Sequence, residues 1–317
     1  MKQTQWRIQA KKADFEAIGA KFGISPVTAR LIRNRNVIGS EAIDLYLNGK
    51  LEALYAPELL PDMDKALLLL KQKMDEGKTI RIVGDYDIDG ICSTYLLYRA
   101  LCRVGARVDY EIPDRIKDGY GINASIIRAA AEDGIDTILT CDNGISAIEQ
   151  VKLAAELGMT VIVTDHHDIR QDESGRDLLP EASAIVNPKR RDSVYPYPEI
   201  CGGMVAYKLV KGLYQLFSVP LEEWEDLVAF AALATVGDVM KLQDENRIVV
   251  KEGLKHIAKT NNLGLRKLIE KNNLNPARIS AYHIGFVLGP CMNASGRLDT
   301  AKRALKLLGA EDKREAD

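Results

Sequence analysis

The sequence contains no run of eighteen or more apolar residues, and its opening, MKQTQWRIQAKK, lacks the apolar core of a secretory leader. Neither a membrane-spanning helix nor a signal peptide is expected, and the expected location is cytoplasmic. Cysteine is present but unorganised. Cys92, Cys102, Cys141, Cys201 and Cys291 are odd in number and show no CxxC spacing. A disulfide frame or a thiolate zinc site is therefore not expected, and the thiols read as buried side chains. An excess of charge of one sign is also lacking, with 43 Lys and Arg against 45 Asp and Glu for a net charge of −2. That balance argues against a general nucleic-acid coat. It does not argue against a nuclease, which needs only one positive channel and draws part of its field from metal ions. At 317 residues, with 46% hydrophobic and 28% charged, the chain is long enough for two compact units of an ordinary soluble protein.

The first 55 residues form a helical N-terminal segment, net basic through Lys2, Lys11, Lys12, Arg30, Arg33 and Arg35 and broken at Gly23 and Pro26. Two short helices and a turn are common, so a helical lead-in packed on the main domain is favoured over a DNA-reading helix-turn-helix. From Thr79 the pattern changes to apolar runs alternating with helical stretches. Strands are predicted at TIRIVG, ARVDYEI, DTILTC, MTVIVT and SAIVN, with a helix after each of the first three. This is the signature of parallel βαβ units covered on both faces. A proline-rich loop, NPKRRDSVYPYPEI, comes next, and helices are predicted near 204–217, 221–236, 247–258, 263–272 and 299–308. The expected fold is α/β, a doubly wound, mainly parallel sheet with a short helical N-terminal segment and a helical C-terminal portion. Its parts are residues 1–55, an α/β core over 56–200, a helical portion over 201–298, and a connector helix over 299–317.

Four of the predicted strands run into polar clusters: Asp85-Tyr86-Asp87-Ile88-Asp89-Gly90, Pro113-Asp114-Arg115, Asp142-Asn143-Gly144, and Asp165-His166-His167-Asp168. In an open parallel sheet the carboxyl ends share one edge, where ligands bind at the switch in strand order. Several carboxylates brought together there repel one another unless a cation neutralises them. Asp and His donors without Cys suit Mn²⁺ or Mg²⁺. Two such ions about 3.5–4 Å apart would clamp a phosphoryl displacement. The Asp-x-Asp-x-Asp-Gly run alone resembles the start of an EF-hand, but Ile91 to Val104 read as helix and supply no twelfth-position glutamate. Asp142-Asn143-Gly144 alone is more often a turn or a cap. Asp238 closes the apolar helix EEWEDLVAFAALATV, where the helix dipole disfavours an acid, and this points to a cation opposite it.

The ordered motifs GDYDIDG, DNG, DHH and GD resemble those of the DHH phosphoesterase superfamily, and GPCMNASGR and YEIPDRIKDGYGIN are similar to elements of its RecJ-like exonucleases. The resemblance implies Asp87, Asp89, Asp142, His166 and Asp238 as ligands of two Mn²⁺ or Mg²⁺ ions, with Asp142 bridging. Val83 stands where a related branch has a ligand histidine, and Asp85 is expected to compensate, directly or through water. His167 is implied to contact the scissile phosphate, and Arg115 and Arg297 to clamp phosphates, Arg115 at a 5′ end. Asn293 is expected to hold its loop, and Gly202-Gly203 to serve close helix packing more than phosphate binding. The implied activity is 5′-to-3′ hydrolysis of single-stranded DNA to 5′-mononucleotides in repair and recombination, alongside helicase or single-strand-binding partners. The alternatives are a phosphodiesterase for oligonucleotides or cyclic dinucleotides and a non-catalytic DNA-binding relative. RecJ-like enzymes continue into a further substrate-binding domain with a Gly-Gly-His element. The chain is therefore expected to be a fragment with a complete metal centre, weakly active or inactive alone.

Overall fold

The computed structural model describes residues 11–114, 119–298 and 300–317, with backbone alone at 297 and 298. Three short helices come first: α1 (Phe15–Phe22), α2 (Pro26–Asn34) and α3 (Ser40–Asn48). Asp14 and Ser25 cap the first two by accepting from Ala17 N and Thr28 N, and Gly23 ends α1 at φ 65°. These are the breaks that glycine and proline impose on a helix.

The central layer runs α4 (Met63–Asp75), β1 (Thr79–Val83), α5 (Ile88–Arg103), β2 (Arg107–Glu111), α6 (Ala124–Glu132), β3 (Thr137–Cys141), α7 (Ile148–Glu156), β4 (Thr160–Thr164) and β5 (Ala184–Val186). All five strands are parallel in the order β2-β1-β3-β4-β5. The chain winds outward from β1 to β2, then returns to β3 on the other side of β1. The β1/β3 boundary is therefore the switch point, where crossovers diverge and leave a crevice at the carboxyl edge. Side-chain alternation divides the two faces. Ile80, Ile82, Leu139 and Ile162 join the large core beneath α4, α5 and the C-terminal helices, while Val83, Ile138, Val161 and Val163 join a smaller core with α6 and α7. A sheet buried on both faces needs the continuous Ile/Val/Leu runs seen in the sequence.

The remainder comprises α8 (Gly202–Leu216), α9 (Leu221–Asp226), α10 (Val228–Gly237), α11 (Asp244–Lys259), α12 (Leu263–Lys271), α13 (Ala281–His283), a π-helical turn (Ile284–Leu288), α14 (Gly289–Leu298), α15 (Lys302–Gly309) and α16 (Lys313–Ala316). The predicted single helix over 221–236 is two helices. Trp224 turns inward, donating to Tyr207 O at 3.0 Å and stacking on its ring, whereas α10 is buried on nearly all sides. GPCMNASGR is helix rather than loop, because its two glycines are sites of close packing rather than of turning. A Cβ on Gly296 would lie 2.8 Å from Tyr86 O, so α14 rests on the Asp85–Asp89 loop. Ala304, Leu305 and Leu308 of α15 are buried in the large core. Among the described residues no helix is long and apolar enough to cross a membrane.

Candidate metal centre

Each strand end delivers its side chains by a different local device. After β1 the chain curls so tightly that a Cβ on Gly90 would collide with the Asp85 carbonyl. Asp87 is the N-cap of α5, accepting from Asp89 N at 2.9 Å and Gly90 N at 3.1 Å. After β3, Asp142 adopts φ 60°, a left-handed conformation that an aspartate tolerates and that functional sites often retain. Asn143 stitches the loop together, donating to Val83 O and Cys141 O and accepting from Ile122 N. Its role is the structural one of a turn residue. After β4, Asp165 accepts from Ile145 N (2.9 Å), His166 N (2.7 Å), His167 N (3.1 Å) and His167 Nδ1 (2.7 Å).

The clusters converge. Three sets of side chains offer ligand atoms that all lie within 4.8 Å of one another: Asp85, Asp87 and Asp142; Asp142, His166 and His167; and Asp89, His166 and Asp238. Asp142 and His166 each belong to two of them. His166 Nε2 lies 3.1 Å from Asp142 Oδ1, 3.5 Å from Asp89 Oδ2 and 3.7 Å from Asp238 Oδ2. Yet neither imidazole nitrogen makes a hydrogen bond, nor do Asp142 Oδ1 and Asp85 Oδ1. Buried polar atoms without partners are costly. A set of acids and an imidazole aimed at one another without hydrogen-bonding geometry is the donor set of a hard divalent cation.

The acids carry the electrostatic strain of that arrangement. Burial, then the neighbouring Asp87, pushes Asp85 up to about 7. Burial raises Asp89 to about 6 against the pull of His166, and burial with Asp87 raises Asp238 to about 6. Burial and then Asp89 hold Asp142 well above the carboxylate range. Burial lowers His166. Asp165 behaves oppositely. Burial pushes it up, but its hydrogen bonds from His167 and the backbone outweigh that and leave it below the usual range. In turn Asp165 raises His167 against burial.

Gly202 and Gly203 open α8 directly over this cluster. Their amides donate to Asp89, Gly202 N to Oδ2 at 2.8 Å and Gly203 N to Oδ1 at 2.7 Å. A Cβ on Gly202 would lie 2.7 Å from the Asp142 Cβ, so close packing is indeed a reason for glycine there. Asp238 sits at the C-terminal end of α10, facing His166 and Asp89. Asn293 lies in α14 with a buried, unpartnered Oδ1. Arg115 and the Arg297 side chain lie outside the described residues. Three residues that contribute here were not singled out from the sequence. Asp165 stood in the DHH motif, but nothing in the spacing set it apart from its neighbours. Tyr120, whose hydroxyl donates to Asp142 O at 2.9 Å and lies 3.2 Å from His167 Nε2, stood unremarked within GYG. Lys189 stood in a proline-rich loop with nothing to mark it.

An acid-and-histidine edge at the switch point of a five-stranded parallel sheet defines the class. Residues 79–235 match the DHH family, N-terminal domain, and the chain belongs to that family. Within it the likeness to RecJ runs along the whole chain. It is 37% identical over 314 residues to the single-stranded-DNA-specific exonuclease RecJ of Bacillus subtilis, covering 99% of this chain and 38% of that protein. The structure of exonuclease RecJ bound to manganese is similar at TM-score 0.74 and 33% identity, over 83% of this chain and 64% of that one. RecJ of Thermus thermophilus in complex with Mn²⁺ is similar at TM-score 0.78 and 30% identity, over 95% and 42%. The chain thus spans well under two thirds of the Bacillus relative's length.

Proposed function

We propose that this chain is the metal-binding part of an exonuclease that hydrolyses phosphodiester bonds of single-stranded DNA from the 5′ end, releasing 5′-mononucleotides. The observation that carries this reading is the sharing of Asp142 and His166 among three converging ligand sets. Asp87, Asp89, Asp142, His166 and Asp238 would hold two Mn²⁺ or Mg²⁺ ions, with Asp142 bridging and Asp85 supporting the first. Bound there, the ions would supply Lewis acidity to the phosphodiester and a water nucleophile usable near neutral pH. Asp165 holds His167 in place through ring and backbone hydrogen bonds and favours its protonated form, so His167 would offer an N–H to a phosphate oxygen. Arg115 and Arg297 are proposed as phosphate clamps and Asn293 as a support for α14. The relatives named as RecJ exonucleases, two of them with manganese, support the substrate and the metal. A cytoplasmic location and a helicase or single-strand-binding partner complete the proposal.

The test is release of mononucleotides from a 5′-phosphorylated single strand in Mn²⁺, by the full-length protein and by this chain, beside a dinucleotide control. Processive loss from the strand is expected. Turnover of the dinucleotide alone would replace the polymer by a short substrate, and absence of both activities together with Mn²⁺ binding would overturn the enzymatic reading.

A further inference from the structure

The metal centre is rich in negative charge. Asp85, Asp87, Asp89, Asp142, Asp165 and Asp238 all belong to it or brace it, so two divalent ions leave it short of neutrality. Asp168, 92% exposed, adds another carboxylate at the rim. A DNA strand brings one further negative charge per phosphate, and a polyanion does not enter such a field without fixed cations along its path. Lys189 sets such a cation beside the DHH segment that carries His166 and His167.

Its placement is built rather than incidental. Asn187 is fully buried and bridges two segments, donating from Nδ2 to His167 O at 3.0 Å and accepting from Lys189 N at 2.8 Å on Oδ1. The DHH segment and the lysine are thereby fixed to each other. The side chain is only 23% exposed, and its ammonium rests on Asp168 Oδ1 at 2.8 Å. An ion pair with so exposed a carboxylate is weak, screened by salt and easily exchanged.

We propose that Lys189 is a substrate-binding residue: its ammonium is parked on Asp168 and transfers to a backbone phosphate of the strand next to the one being cut. The inference rests on the exonuclease reading and adds a residue and a subsite to it. An ammonium on a flexible stem suits this role, since it binds a phosphate oxygen as a point charge and tolerates every base sequence.

The experiment uses the full-length protein in Mn²⁺ with 5′-phosphorylated oligo-thymidylate at several KCl concentrations. Lys189→Gln is expected to raise KM about tenfold with kcat within about twofold. The slope of log affinity on log salt should shrink by about 0.7, the value of one lost phosphate contact on a single strand. Lys189→Arg should restore both, and Lys71→Gln, which removes a lysine paired on the surface of α4, should change neither. Wild-type KM and slope in Lys189→Gln would overturn the proposal while leaving the exonuclease standing. So would loss of Mn²⁺ binding in that variant, which would make the lysine a support of the metal centre. A wild-type protein that neither binds nor cuts the strand would remove the exonuclease reading, and this subsite with it.

Discussion

Lys208 and Glu245 are buried as deeply as Asp89 and Asp142, yet the two groups are bonded in opposite ways. The Lys208 ammonium is joined to Glu245 and to the carbonyl of Tyr55. Glu245 also accepts from the Tyr195 hydroxyl and, at 2.6 Å, from Tyr55 N. One cation meets one anion, and the carboxylate's remaining capacity is taken by Tyr195 and by the segment that leads into α4. At the sheet edge the acids outnumber the cations, and the ring nitrogens of His166 and an oxygen of Asp142 have no hydrogen-bond partner. A closed charge cluster holds the fold together. An open one is retained for what it binds, since its repulsion destabilises the protein that carries it.

Four measurements would break or sharpen that contrast. The largest effect is expected of Asp142→Asn, which removes the charge and keeps a residue suited to the φ of 60°. It should reduce Mn²⁺-dependent cleavage by the full-length protein at least ~10³-fold, while the metal-free melting temperature stays level or rises because one mutually repelling carboxylate is gone. A clear fall in that temperature would place Asp142 among the structural residues. Next, Glu245→Ala should cost about 3–5 kcal/mol in urea unfolding, because it strands a buried ammonium. The pair Lys208→Met with Glu245→Leu should recover most of the loss. If the double variant is as unstable as the single, specific hydrogen bonds rather than charge balance hold that cluster.

A smaller effect concerns pH. The folded-state values of Asp85, near 7, and of Asp89 and Asp238, near 6, lie above the ordinary carboxylate range. Groups raised on folding lend stability at low pH and lose it as pH climbs through the raised values, so these acids weaken the metal-free fold progressively between about pH 4 and 7. His166 has the opposite sign. Its folded value is lowered, so its contribution is present at higher pH and lost as pH falls. Protons on acids and imidazole alike compete with metal. The gain in melting temperature on adding Mn²⁺ should therefore be greater at pH 7.5 than at pH 5.5, by roughly several degrees. An equal gain at both would mean that the metal binds elsewhere. The smallest expected effect belongs to Tyr195→Phe, which removes one donor from Glu245 and should cost about 1–2 kcal/mol, with Mn²⁺ affinity unchanged by calorimetry.

Much of the centre was readable before any coordinates, for a geometric reason. In a parallel sheet every strand points the same way, so Asp85–Asp89, Asp142 and His166 had to share an edge wherever they stood in the chain. Asp238 was legible as an acid on the wrong end of a helix. Asp165 was not, although it stood in plain view. Its part depends on its carboxylate turning back to collect Ile145 N, His166 N and His167 N, a matter of rotamer rather than of spacing. Lys189 depends on Asn187 folding the next segment against DHH. Helix α14 was misread because Gly289 and Gly296 look like turn residues, while their small size serves contacts with Ile284 O and Tyr86 O that no local pattern reveals.

Asp89 spends both oxygens on the first amides of α8, the helix that runs from the sheet edge deep into the C-terminal half. A ligand that draws electron density from this carboxylate weakens its hold on Gly202 and Gly203, and one that leaves restores it. The opening turn of α8 is thus wired to occupancy. Hydrogen exchange at those two amides would report ion binding from inside the protein, with no substrate present and no turnover required.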